Sequence, residues 1–150
     1  MNIRLTKEFH FEMAHALFEH DGPCKNIHGH SYKLSVTIIG IPIKDSKSPK
    51  IGMVADFSDI KKIVGETVIQ LLDHALVLNE STDKSITNSL KNQKLILVDF
   101  QPTCENMLIF IAKKLKIALP IEFTLHHLLL RETASSYAEW YAEDNKHLIL

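Results

Sequence analysis

HGHSYKLSVTI, residues 28–38, sends His30, Tyr32, Leu34, Val36 and Ile38 to one side and Ser31, Lys33, Ser35 and Thr37 to the other. That alternation has the two-residue period of a strand with one buried face. Upstream, LTKEFHFEMAH (residues 5–15) repeats it, with Leu5, Phe9, Phe11, Met13 and His15 on odd positions and Thr6, Glu8, His10 and Glu12 on even ones. Lys7 breaks the apolar set and suggests an exposed start. Between the two runs, HDGPCKN (residues 20–26) supplies Asp-Gly and Gly-Pro turn chemistry. The two strands are expected to pair as a long hairpin.

Beyond the hairpin, residues 42–50 are polar, contain two prolines and read as a loop. The carboxylate of Asp56 can accept an early backbone N–H and cap a helix starting at Phe57. Phe57, Ile60, Val64, Thr67, Val68, Leu71 and Leu72 then recur at helical spacing, weakened slightly at Gly65. Residues 79–94 are rich in Ser, Thr and Asn and read as a mobile loop. Leu95 to Phe100 reads as a short extended segment. Thr103 is placed to cap a second helix whose inner face carries Leu108, Ile111, Ala112 and Leu115, with Pro120 beyond its end. Ile121–Arg131 and Ser136–Tyr141 read as two further strands. The resulting β-β-α-α-β-β order implies an α+β fold, an antiparallel sheet with two helices on one face. Leu128, Leu129 and Leu130 make both faces of the third strand apolar, which subunit association would resolve.

The chain has 150 residues, 45% hydrophobic and 23% charged, which suits a single soluble domain spanning 1–150 with a real core. A net charge of −1 and the lack of a long basic run argue against nucleic acid as a partner. No apolar run approaches the roughly 18 residues of a membrane span. The start, MNIRLTKEFHF, lacks an apolar signal core followed by a small-residue cleavage site, so a cytoplasmic location is expected. In that compartment Cys24 and Cys104 are expected to be free thiols rather than a disulfide.

His28 and His30, one residue apart on a strand, point to the same face, and His15 shares the buried parity of its own strand. Three neutral imidazoles can bind Zn²⁺ and leave a fourth position open, as catalytic sites do. A bare His-x-His pair by itself is more often two unrelated turn or surface histidines. Cys24 precedes His28 by four residues. A cation nearby would favour its thiolate, the useful base or nucleophile. Cys104 has no such neighbour and reads as structural. Asp73 and His74 can form a relay in which the carboxylate orients the imidazole, although a solvated helix end is the commoner explanation of the dipeptide alone. Glu132, at the end of an apolar strand, could accept two hydrogen bonds from the edge of a heterocycle, or pair with Arg131.

Together these segments resemble the 6-pyruvoyltetrahydropterin synthase superfamily, and within it the bacterial branch that forms 6-carboxytetrahydropterin. The resemblance rests on FEMAHAL, CKNIHGHSYKL, GMVADFSDIK, LDHALVLN, PTCEN and LRETASSYAEW, which occur in the family's order and cover most of the chain. It implies the tunnelling fold (T-fold), a β-β-α-α-β-β unit whose sheets close into a barrel between subunits, usually in hexamers built from two trimers. It implies His15, His28 and His30 as zinc ligands, Cys24 as the catalytic thiol and Asp73 with His74 as the proton-transfer pair. Glu132 becomes the pterin anchor, and Thr103 and Glu105 become pocket residues. The Cys-x-x-x-His-Gly-His spacing resembles the carboxy-forming branch; pyruvoyl-forming animal enzymes usually have a longer gap, and folate-pathway relatives often carry glutamate in place of this cysteine. Ala16 departs from the arginine that many members have after the first histidine. The activity so implied is a zinc lyase that takes 7,8-dihydroneopterin triphosphate to 6-carboxytetrahydropterin, acetaldehyde and triphosphate, on the way to queuosine. Its partner would be the small molecule, not the tRNA. The alternatives are a synthase that stops at 6-pyruvoyltetrahydropterin, a non-catalytic zinc- or pterin-binding relative, and a generic three-histidine zinc hydrolase.

Overall fold

Two 13-residue strands, β1 (Ile3–His15) and β2 (His28–Gly40), carry the alternation just described into an antiparallel pair. The coordinates are a computed structural model, and residues 1–146 are described. Phe9, Phe11, Met13 and His15 of β1 and Tyr32, Leu34, Val36 and Ile38 of β2 are buried on one face, as their parity requires. The register sets His15 opposite His28, Met13 opposite His30 and Phe11 opposite Tyr32.

Asp56 caps α1 (Phe57–Val64) by accepting the Ser58 N–H at 2.8 Å. The helix then widens into a π-helical stretch at Gly65–Ile69 and resumes as α2 (Gln70–Leu72). Gly65 thus marks a change of helical pitch and not a break. Ile60, Val64, Val68 and Leu72, four residues apart throughout, remain buried across it.

Two elements depart from the expected order. Ala75–Asn79 forms a strand, β3, beside β1, and Leu95–Val98 forms β4 outside it; both pairings are parallel. The sheet is therefore mixed rather than wholly antiparallel, with order β4-β3-β1-β2-β5-β6. ALVLN was missed because it follows a helical repeat without a turn signal and is itself continuously apolar, so periodicity does not separate strand from helix there. The polar stretch expected to be a mobile loop contains α3 (Lys84–Ser89), capped by Asp83 through the Ser85 N–H at 2.7 Å. No residue of α3 is buried, so local hydrogen bonding shapes it and hydrophobic patterning could not reveal it.

Thr103 caps α4 (Cys104–Ala118) by accepting the Asn106 N–H, and Leu108, Ile111, Ala112 and Leu115 are buried as expected. The Pro120–Phe123 turn delays the next strand, so β5 runs Thr124–Arg131 and β6 runs Tyr137–Tyr141. Leu128 and Leu130 are fully buried, whereas Leu129 faces the other side and is only half-buried. Helices α1, α2 and α4 close the apolar face of the curled sheet in one continuous core. The opposite face is largely polar.

Candidate active site

The metal-ligating candidates meet where the hairpin opens. His15 ends β1 and His28 begins β2, so antiparallel pairing sets them side by side, and His30 follows two residues along on the same face. Their ligating nitrogens all lie within 4.8 Å of one another.

The hydrogen bonds on the far side of two rings fix their tautomers. His15 Nδ1–H donates to the Pro102 carbonyl at 2.7 Å, and His28 Nδ1–H donates to the Asn26 carbonyl at 2.7 Å. A carbonyl oxygen only accepts, so each Nδ1 must carry the hydrogen. In the neutral rings, the two Nε2 lone pairs then face each other across 3.1 Å. Burial pushes the His15 pKa down and favours that neutral form. Two converging lone pairs with a third imidazole beside them fit a divalent transition metal. Backbone carbonyls behind the ligands supply the outer support such sites use.

A cavity of about 480 Å³ opens on these rings. Cys24, Thr103, Glu105, Glu132 and Tyr137 also line it. Cys24 sits in a single 3₁₀ turn, Pro23–Lys25, and lies outside the group of converging ligand atoms. Its loop is tied down from within by the Leu17 N–H donating to the Cys24 carbonyl at 2.9 Å. The Gln101 side chain clamps the same loop, accepting the Phe18 N–H at 3.0 Å and donating to the Phe18 carbonyl. QPTCEN thus supports the site three times over: Gln101 holds the cysteine loop, Pro102 orients His15 and Thr103 caps α4.

Glu132 leaves the end of β5 and turns toward the histidines. Its Oε1 lies 3.6 Å from His15 Nε2 and 3.9 Å from His30 Nε2, and it accepts the Tyr32 hydroxyl at 2.9 Å. Arg131 is engaged elsewhere, donating to the Ala134 carbonyl at 3.2 Å with its guanidinium 4.5 Å from the centre of the Tyr137 ring. Cys104 donates to the Leu130 carbonyl, and burial pushes its thiol up to about 11, in keeping with a structural role.

Asp73 and His74 do form a pair, with His74 Nδ1 3.1 Å from Asp73 Oδ2. The pair is not brought into the histidine cavity of the same chain. His74 lines a second cavity, about 520 Å³, with Glu12, Ser31 and Lys94, and His30 borders both. His74 takes a left-handed backbone (φ 59°) between α2 and β3. Its N–H donates to the Glu12 carbonyl at 2.6 Å, while the Glu12 N–H donates to Asp73 Oδ1 at 2.9 Å. Lys94 completes the clamp by donating to the carbonyls of Gln70 and Asp73, each at 2.7 Å.

Sequence reading missed the supporting roles of Tyr32, Lys94 and Gln101. Only Tyr32 carried a signal, its position two residues beyond His30 on the same strand face. The long-range contacts of the other two leave no trace in local pattern.

Comparisons with known proteins follow this geometry. The family model for 6-pyruvoyl tetrahydropterin synthase matches residues 4–143. The chain is 38% identical over 142 residues to the 6-carboxy-5,6,7,8-tetrahydropterin synthase of Haemophilus influenzae, covering 92% of this chain and 98% of that protein. It is 34% identical over 139 residues to the protein of the same name from Synechocystis, covering 92% of each. Among solved structures, the 6-pyruvoyl tetrahydropterin synthase of Caenorhabditis elegans superposes with a TM-score of 0.69 at 24% identity, covering 94% of this chain and 96% of that one. The Plasmodium vivax 6-pyruvoyl tetrahydropterin synthase gives 0.70 at 19% identity, covering 93% and 97%. These neighbours share the curled sheet with its helices on one face. With the family model spanning nearly the whole chain, this protein belongs to the 6-pyruvoyl tetrahydropterin synthase family.

Proposed function

We propose that this chain is a zinc-dependent 6-carboxy-5,6,7,8-tetrahydropterin synthase. It would convert 7,8-dihydroneopterin triphosphate and water to 6-carboxytetrahydropterin, acetaldehyde and triphosphate in queuosine biosynthesis. The observation that carries this reading is one cavity in which a thiol, a carboxylate and three converging imidazoles meet. The relatives bearing that name add to it.

His15, His28 and His30 would hold the zinc, which supplies Lewis-acid polarisation of the substrate's side-chain oxygens when bound. Glu132 accepts hydrogen bonds from the heterocycle's N–H edge and orients the ring, with Thr103 and Glu105 shaping the pocket. Cys24, held beside the ligands by the Gln101 clamp, takes or returns a proton as its thiolate. Asp73 keeps the His74 imidazole in one tautomer and stabilises its protonated form.

Because His74 lines the second cavity, a further copy of the chain is needed to complete the acid–base set around one substrate. The expected assembly is a hexamer of two trimers, in the cytoplasm, with the small molecule as its partner and neither membrane nor nucleic acid. The second reading, favoured by likeness to the Caenorhabditis elegans enzyme, stops at 6-pyruvoyltetrahydropterin with the side-chain carbons retained. Purified protein given 7,8-dihydroneopterin triphosphate separates the two. Acetaldehyde released in step with triphosphate is expected, and triphosphate release without acetaldehyde would select the second reading.

A further inference from the structure

Tyr32 is wholly buried and, among the described residues, its hydroxyl has one hydrogen-bond partner, Glu132 Oε1 at 2.9 Å. Its ring is stacked on Phe11, with centroids 5.2 Å apart and planes 11° from parallel. It also meets the His30 ring edge-on at 5.6 Å. The β2–β5 register, with Lys33 opposite Arg131, delivers Glu132 to this hydroxyl one step further along. Side chain and donor direction are therefore fixed by packing on several sides.

The accepting oxygen is unusually placed. Zinc–donor bonds of about 2.0–2.1 Å in a tetrahedron set neighbouring donor atoms about 3.3–3.4 Å apart. Glu132 Oε1 stands 3.6 Å and 3.9 Å from two of the imidazole nitrogens, close to the spacing of a fourth ligand. A carboxylate there has two competing uses. As a ligand it would close the metal's fourth position; as a free acceptor it can hold a heterocycle.

We propose that Tyr32 is the positioning residue that decides between them, its hydroxyl holding Glu132 Oε1 off the metal so that the carboxylate serves the substrate. This rests on the reading of His15, His28 and His30 as a metal site. Without the phenol, the strongest partner left for that oxygen is the metal itself.

Cobalt(II) uptake with its visible spectrum, and zinc affinity against a chelator, test this in the full-length protein. Tyr32→Phe keeps the ring and removes the donor. It is expected to bind zinc about tenfold more tightly or better, to shift the cobalt bands and to lose turnover. Adding Glu132→Gln to Tyr32→Phe should return the bands to those of the wild type. Glu132→Gln alone should leave the wild-type bands unchanged, since Glu132 is then no ligand to lose. Unchanged bands and affinity in Tyr32→Phe, weaker zinc binding in that variant, or altered bands in Glu132→Gln alone would each overturn the proposal. A wild-type protein that takes up no metal would instead refute the three-histidine site itself.

Discussion

At the scale of single residues, the two cysteines show how environment separates identical side chains. Cys104 lies half-buried at the start of α4 and donates a hydrogen bond to the Leu130 carbonyl, and burial pushes its pKa up to about 11. Cys24 sits in a turn on the cavity wall, outside the imidazole cluster. Brief iodoacetamide treatment at pH 8 should therefore alkylate Cys24 first, read as one adduct on its peptide by mass spectrometry; early modification of Cys104 would contradict the assignment. Cys24→Ala should lower turnover by at least about 100-fold, the scale of general acid–base catalysis. It should leave the metal content, measured by atomic emission, at the wild-type level, because the ligand set is untouched. Parallel loss of metal would make Cys24 a ligand instead.

At the scale of elements, the turn between α2 and β3 is where backbone strain and side-chain chemistry meet. A histidine with a left-handed backbone costs of order 1–3 kcal/mol and persists only when its surroundings enforce it. Glu12 does so through both its N–H and its carbonyl, and Lys94 closes the carbonyl end of the helix. Lys94→Met should loosen this clamp, speeding amide exchange at His74 and lowering kcat more than it changes KM. An unaltered exchange rate would show that the turn holds without the ammonium. The Asp73 pKa is lowered, first by the Glu12 N–H and then by the neighbouring His74 and Lys94. A depressed carboxylate contributes stability above its unfolded value, here 3.8, and loses it as pH falls through the lower folded value. The Glu12 amide shift in an NMR titration should accordingly move with a midpoint below 3.8. A midpoint at or above that value would mean that the bond is not made in solution.

At the scale of the molecule, the sheet ends in two strands, β4 and β6, that have no outer neighbour among the described residues. Open edges of this kind invite pairing with another chain. Together with His74 lining the other cavity, they lead to a concentration-dependent prediction. Mass by light scattering should correspond to six chains. Dilution to the point of dissociation should abolish turnover while the isolated chains still bind metal. A fully active monomer would overturn the shared-site reading.

The sequence by itself determined whatever depends on local period or local capping. Strand alternation set the β1–β2 hairpin and the common face of His28 and His30, Asp56 and Thr103 fixed two helix starts, and the four-residue apolar spacing of the first helix survived its π-helical stretch. The metal-site candidates were legible because a two-residue spacing on a strand has one geometric outcome. Ordered motifs along the chain added the family resemblance that the comparisons bear out. Only the tertiary structure decided what depends on residues far apart in the chain. Parallel pairing of β3 with β1 has no local signal, since it is set by the return path of a helix. The Pro102 carbonyl that orients His15, the Gln101 clamp on the cysteine loop and the Tyr32–Glu132 contact span 83 to 100 positions. Those contacts, rather than the histidine spacing, convert three imidazoles into a site with a defined tautomer and a defined neighbour. Periodicity can place a side chain on a face, but only packing can say what it meets there.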